Sequence, residues 1–163
     1  MTWSVYGKPY AADSDLTDTS IFQPLKFDYP VVLKAVRVWL IVMGSPTFTS
    51  LSMKIYTDDA EQATRTPNVL LHTSTNSPTK AELITLNHGI KETYFEFSNP
   101  NLAAETYYNF VINASGYSGA SDSSHLAWRI DWPDPIYTDG VTEGSIATYP
   151  LSIYPIFARF NEA

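Results

Sequence analysis

Between Lys34 and Tyr56 two stretches alternate apolar with polar positions. Val36, Val38, Leu40 and Val42 share one face of the first, while Leu51, Met53 and Ile55 alternate with Ser50, Ser52 and Lys54 in the second. A period of two predicts strands, and Gly44, Ser45 and Pro46 between them predict a β-hairpin. Ile21 to Phe27 reads as an earlier strand in which Pro24 marks an edge or a bulge, because proline donates nothing to a ladder.

The same grammar continues downstream. Val69–Thr73 and Ala81–Leu86 read as short strands around the turn-prone Thr75–Thr79, and Asn87, His88 and Gly89 as the next turn. Thr93–Phe97, Thr106–Asn113 and Leu126–Trp132 follow; the last sets Leu126, Trp128, Ile130 and Trp132 on one face and is the cleanest alternation in the chain. Ser115–Ser124, rich in Gly and Ser, predicts a flexible loop. Strand character returns over Ala147–Phe160, interrupted by Pro150 and Pro155. The one helical candidate, Asn101–Thr106, is too short to stand alone. The expectation is all-β: a two-sheet antiparallel β-sandwich of about eight to ten strands, since each alternating strand must bury one face against a second sheet. Residues 1–20, with Trp3, Tyr6 and Tyr10 among small polar residues and Asp13, Asp15 and Asp18 behind them, read as an N-terminal arm or a first strand. Residues 21–163 read as a single domain.

Composition narrows the function classes. With 44% hydrophobic and 17% charged residues the chain is too apolar for disorder, and its apolar residues are too evenly spread for a membrane span. A net charge of −7 disfavours nucleic acid and anionic membranes and leaves basic protein surfaces or neutral glycans as partners. With no cysteine, disulfides, thiolate zinc sites and cysteine nucleophiles drop out together. Met1 to Asp15 lacks a basic segment followed by an apolar core, so either the protein is used without export or a leader has been removed. Asn113, Ala114 and Ser115 spell a glycosylation sequon, a tripeptide that chance supplies often.

No constellation of catalytic residues emerges. His72, His88 and His125 are too far apart for a local zinc signature, and neither HExxH nor a G-x-S-x-G elbow occurs. Asp131, Glu96 and Glu105 are the acids best placed for glycoside hydrolysis, although solvated or ion-paired roles fit them better. Asp13, Asp15 and Asp18, like Asp58, Asp59 and Glu61, offer oxygen ligands for a structural calcium ion but follow no calcium-loop spacing, so no metal or cofactor is expected. Aromatic and apolar residues are more suggestive. Trp39, Ile41 and Met43 lie opposite Val38, Leu40 and Val42, so their strand is apolar on both faces over half its length and predicts either a covered central strand or a subunit interface. Trp132, Tyr137 and Tyr117 are candidates for a sugar-stacking platform, with core packing as the plainer role.

The order of these features resembles the jelly-roll modules of tailed-phage virion accessory proteins and of secreted bacterial carbohydrate-binding proteins. Phe22 and Gln23 open a strand, and the next run ends at Gly44, Ser45 and Pro46. Leu102 to Tyr108 leads into Phe110, Val111 and Ile112, and Trp128 precedes Tyr137 and Gly140. The resemblance spans residues 20–145. Counterparts of the residues with which the sugar-binding members hold their ligands are absent. What it implies is a jelly-roll, non-enzymatic module for particle decoration, attachment or glycan contact. With no export signal, no catalytic set and a strand apolar on two faces, the expectation is a capsid-decoration or tail accessory subunit of a virion, or alternatively a secreted protein, that forms a homo-oligomer. A carbohydrate-binding module is the second expectation and a glycoside hydrolase the third.

Overall fold

Alternation becomes two sheets closed over one apolar interior. The computed structural model describes residues 22–59, 67–84, 91–118, 124–128 and 153–157. These comprise β1 (Phe22–Lys26), β2 (Val31–Met43), β3 (Leu51–Asp58), β4 (Pro67–Thr73), α1 (Lys80–Leu83), β5 (Lys91–Glu96), β6 (Asn101–Leu102), β7 (Tyr107–Ala114), β8 (His125–Trp128) and β9 (Ile153–Phe157). One sheet has the order β1-β7-β3-β4, and the second gathers β5, β6, β8 and β9 on β2, with every pairing antiparallel. Val36, Val38, Leu40 and Val42 of β2, with Phe95, Leu126 and Trp128, join Leu51, Met53, Ile55, Phe110 and Ile112 of the first sheet in a single core cluster. The all-β, sandwich-like character expected from the alternation is therefore present.

β2 is the spine of its sheet. Along its thirteen residues β6 pairs with Val31 and Val32, β9 with Leu33–Val38, β5 with Ala35–Leu40 and β8 with Leu40–Met43. Because Ala35 to Val38 pair with β5 and β9 at once, those two strands flank β2 on opposite sides. β2 is thus paired along both edges; Val36, Val38, Leu40 and Val42 on one of its faces are buried in the core, while Arg37, Trp39 and Met43 on the other are only partly buried.

The hairpin expected from Lys34 to Tyr56 does not form, because β2 and β3 lie in different sheets. Both edges of β2 are occupied by other strands, so β3 has no edge to join. The chain instead arches across the core, and the two alternating faces meet from opposite layers. Gly44 turns with φ 60, a left-handed value that glycine adopts without strain. The arch is then held in place. Thr47 bridges Ser118, Ser50 bridges Thr79, and the Lys80 ammonium donates to the Pro46 carbonyl.

Three further expectations need correction. Residues 81–83 of the expected strand Ala81–Leu86 belong to the helix α1, residues 85 and 86 lie outside the described residues, and the Glu82 carboxylate turns back to accept from the Thr79 N–H at 2.6 Å and the Thr79 hydroxyl at 2.9 Å. The helical candidate at Asn101–Thr106 is instead the short strand β6 followed by a turn, with Glu105 at φ 53 and its carboxylate 3.2 Å from the Lys26 ammonium. The loop expected over Ser115–Ser124 is anchored at its start, where Gly116 turns at φ 67 and Tyr117 enters the core. Pro24 falls where its missing N–H predicts, on the edge strand β1.

Candidate functional site

Among the described residues the four-stranded sheet ends in an open edge. β4 is its outermost strand, and its sequence, PNVLLHT, contains no acid, lysine or arginine. Val69, Leu70 and Leu71 are 56%, 46% and 41% exposed, and none of them belongs to the core cluster. β4 pairs with β3 through two register shifts, on either side of the Tyr56–Leu70 pair. At one of these the Val69 N–H turns to the Thr57 hydroxyl at 2.9 Å. Among the described residues nothing pairs with the opposite edge of β4.

The edge of β5 is treated differently. Here Thr75 N–H donates to the Glu96 carbonyl at 2.7 Å, Glu96 N–H donates to Asn76 Oδ1 at 2.7 Å, and Asn76 Nδ2 donates to the Tyr94 carbonyl at 2.8 Å. One side-chain amide thus takes the part of a neighbouring strand and blocks further pairing along this stretch. Between this loop, α1 and β5 lies an open cleft of about 310 Å³ lined by Asn76, Glu82, Lys91, Glu92 and Tyr94 among others. On the same sheet face, register places Arg37 beside Tyr94 and Trp39 beside Glu92. Glu92 accepts from the Tyr94 hydroxyl at 2.6 Å and from Arg37 Nη1 at 3.3 Å, and the Arg37 guanidinium lies 4.9 Å from the Trp39 ring. The Tyr94 hydroxyl, more than Arg37, holds the Glu92 carboxyl below its ordinary range. The Thr79 N–H and hydroxyl do the same for Glu82. Both carboxylates of the cleft are therefore biased towards the ionised form, the opposite of what a proton-donating acid in glycoside hydrolysis requires.

The residues singled out from sequence are dispersed. Trp39 and Met43 lie on β2, both partly buried, and Ile41 pairs with Ala127 in the same ladder. Tyr117 is 1% exposed and packs against Phe48 with ring centroids 6.3 Å apart; its hydroxyl accepts from the Leu126 N–H at 3.0 Å. It is a core residue with no face open to a sugar, which corrects its place in the expected platform. Burial also pushes its phenol above the ordinary value of 10.0. Trp132 and Tyr137 lie outside the described residues, as do Asp131, His88, Asp13, Asp15, Asp18 and Glu61. Glu96 is exposed at the end of β5, and Glu105 is ion-paired with Lys26. Asp58 accepts from Asn109 Nδ2 at 3.0 Å, and no group of three or more metal-ligating side chains occurs among the described residues.

Sequence reasoning passed over both the cleft and the edge. Thr79-Lys80-Ala81-Glu82 carries the spacing of a helix-capping box, the signal that would have placed α1 and Glu82. The uncharged run Val69–Thr73 was legible as a strand, but its place at a sheet edge depends on distant pairings. No protein-family model, no curated protein and no solved structure matches the chain. No helix among the described residues is long and apolar enough to cross a membrane.

Proposed function

We propose that this chain is a non-enzymatic structural subunit that acts by protein–protein assembly, of the kind that decorates a capsid or extends a tail. One observation carries the assembly reading: β4, an uncharged apolar strand, stands at an open sheet edge with Val69, Leu70 and Leu71 exposed. Sheet edges are usually blunted by charge, proline or covering segments, because unpaired N–H and C=O groups template pairing with another chain. β5 has such protection; among the described residues β4 has Pro67 at one end and its two register shifts, and the Val69–Leu71 stretch between is left uncovered. The particle context rests on the jelly-roll resemblance, with which the repeated passage of the chain between the two sheets is consistent. Light scattering on the purified chain tests the reading. Mass that rises with concentration supports assembly; a strict monomer up to ~1 mM, a limit beyond which contacts yield less than about 4 kcal/mol, overturns self-assembly.

Trp39, Tyr94, Arg37 and Glu92 on one sheet face, next to a cleft of monosaccharide size, favour a second reading as a carbohydrate-binding module. Tyr94 is 44% exposed and offers a ring face for stacking. Saturable binding on a glycan array, lost in Tyr94→Ala, supports this reading, and silence across the array refutes it.

A further inference from the structure

Resting on the assembly reading, we infer that the partner of β4 is β4 of a second copy, paired antiparallel about a two-fold axis at Leu70. An isologous contact requires a self-complementary surface, and β4 has one in a single register. Centred on Leu70, Val69 falls opposite Leu71, Leu70 opposite Leu70, and Asn68 opposite His72, so all three exposed apolar residues meet apolar partners. A centre at Val69 sets Leu70 against Asn68 and Leu71 against Pro67; a centre at Leu71 sets Leu70 against His72 and Val69 against Thr73. Pro67, which has no N–H, falls at the end of the shared ladder, the position proline tolerates.

Charge selects the same orientation. Lys54 of β3 pairs with Thr73 at one end of β4, and Asp58 pairs with Pro67 at the other. Antiparallel pairing brings the Lys54 end of each copy to the Asp58 end of its partner, twice by symmetry. Parallel pairing would align like with like. Three strand spacings separate the two charged rows, roughly 14 Å, more than the ~8 Å Debye length at physiological salt, so the charges bias orientation at low ionic strength and add little affinity. Two copies joined in this way form one continuous eight-stranded sheet, because each contributes the four strands β1-β7-β3-β4.

The contact is short. Seven residues span ~23 Å, and the buried area falls below the ~1,200 Å² of a standard interface. A contact of that size belongs with weak, transient associations.

Because the chain has no cysteine, Leu70→Cys introduces its sole thiol. Opposed residues of an antiparallel pair have Cα atoms ~4.5 to 5.5 Å apart, within disulfide range. Under mild oxidation the Leu70→Cys full-length chain links into dimers. Val69→Cys and Leu71→Cys link efficiently when mixed with each other and poorly when each is oxidised alone. Leu70→Lys, at an exposed position that leaves the core intact, weakens self-association by more than about tenfold by setting like charges face to face, while its thermal melt stays that of the parent. Mass that rises with concentration but is insensitive to Leu70→Lys, with no Leu70→Cys dimer, overturns this pairing and leaves assembly through another surface standing. Mass that never rises overturns both.

Discussion

Tyr117→Phe removes a single oxygen and is the sharpest test of how the second sheet is held together. The Leu126 N–H is directed to the Tyr117 hydroxyl at 3.0 Å, and both residues are 1% exposed. In Tyr117→Phe the ring still packs on Phe48, so the apolar contact survives and only the acceptor is lost. A buried donor without a partner costs ~1–3 kcal/mol, more than the ~0.5–1.5 kcal/mol that an average hydrogen bond contributes. We therefore expect a loss of about 1–3 kcal/mol. For a domain of this size that corresponds to a melting temperature lower by roughly 2–10 °C. Urea unfolding followed by fluorescence of the four tryptophans measures it, and an unchanged m-value confirms that the same surface unfolds. Tyr117→Ala also discards the ring and should cost ~3–5 kcal/mol. If Tyr117→Phe unfolds within ~0.5 kcal/mol of the parent, the range of ordinary surface substitutions, the hydroxyl is not holding β8 and the reasoning fails.

Phe110→Ala, at a fully buried position in β7, is expected to cost ~3–5 kcal/mol in the same urea assay. Gly116→Ala should destabilise by ~1–2 kcal/mol through its φ of 67 rather than through a clash, since an added Cβ meets only Thr49 Oγ1 at 3.7 Å; Gly116→Asn should lose less. The Glu82 and Glu92 carboxyls are held below their ordinary 4.5 when folded, so below 4.5 the unfolded chain binds protons first. Their contribution is complete above pH 4.5 and fades as pH falls through the folded values. A pH series of melting temperatures should show this acid limb, and it should flatten in Glu82→Gln.

Strands were legible because burial on one face imposes alternation, which β3 and β5 carry, whereas β7 is buried on both faces from Tyr108 to Ile112 and shows in the sequence as a mostly apolar run. Partnership was not legible in the same way. Val36 to Val42 and Leu51 to Ile55 look alike whether they lie side by side or face each other, and only the pairing of β5, β8 and β9 with β2 excludes the hairpin. For Tyr117 the plainer of the two expected roles, core packing, is the one the structure shows, although its Gly- and Ser-rich neighbourhood predicts a loop: its ring packs against Phe48. Of the candidate surfaces, the apolar run Trp39, Ile41 and Met43 on the second face of β2 was visible in the sequence, and Trp39 and Met43 are only partly buried there. The exposed edge of β4 became visible only once the order β1-β7-β3-β4 was known.

The dependence of the second sheet on β2 also sets a timetable for synthesis. Residues Leu33–Val38 of β2 pair on one side with β9, which begins at Ile153. Roughly 115 residues separate Val38 from that strand, and at ~5–20 residues per second the nascent chain carries an unsealed, largely aliphatic ribbon for about 6–23 s. A message stopped ahead of Ile153 would leave that ribbon permanently bare. Truncated products should therefore precipitate or recruit chaperones, and slower translation through the final third of the message should lower the yield of folded protein.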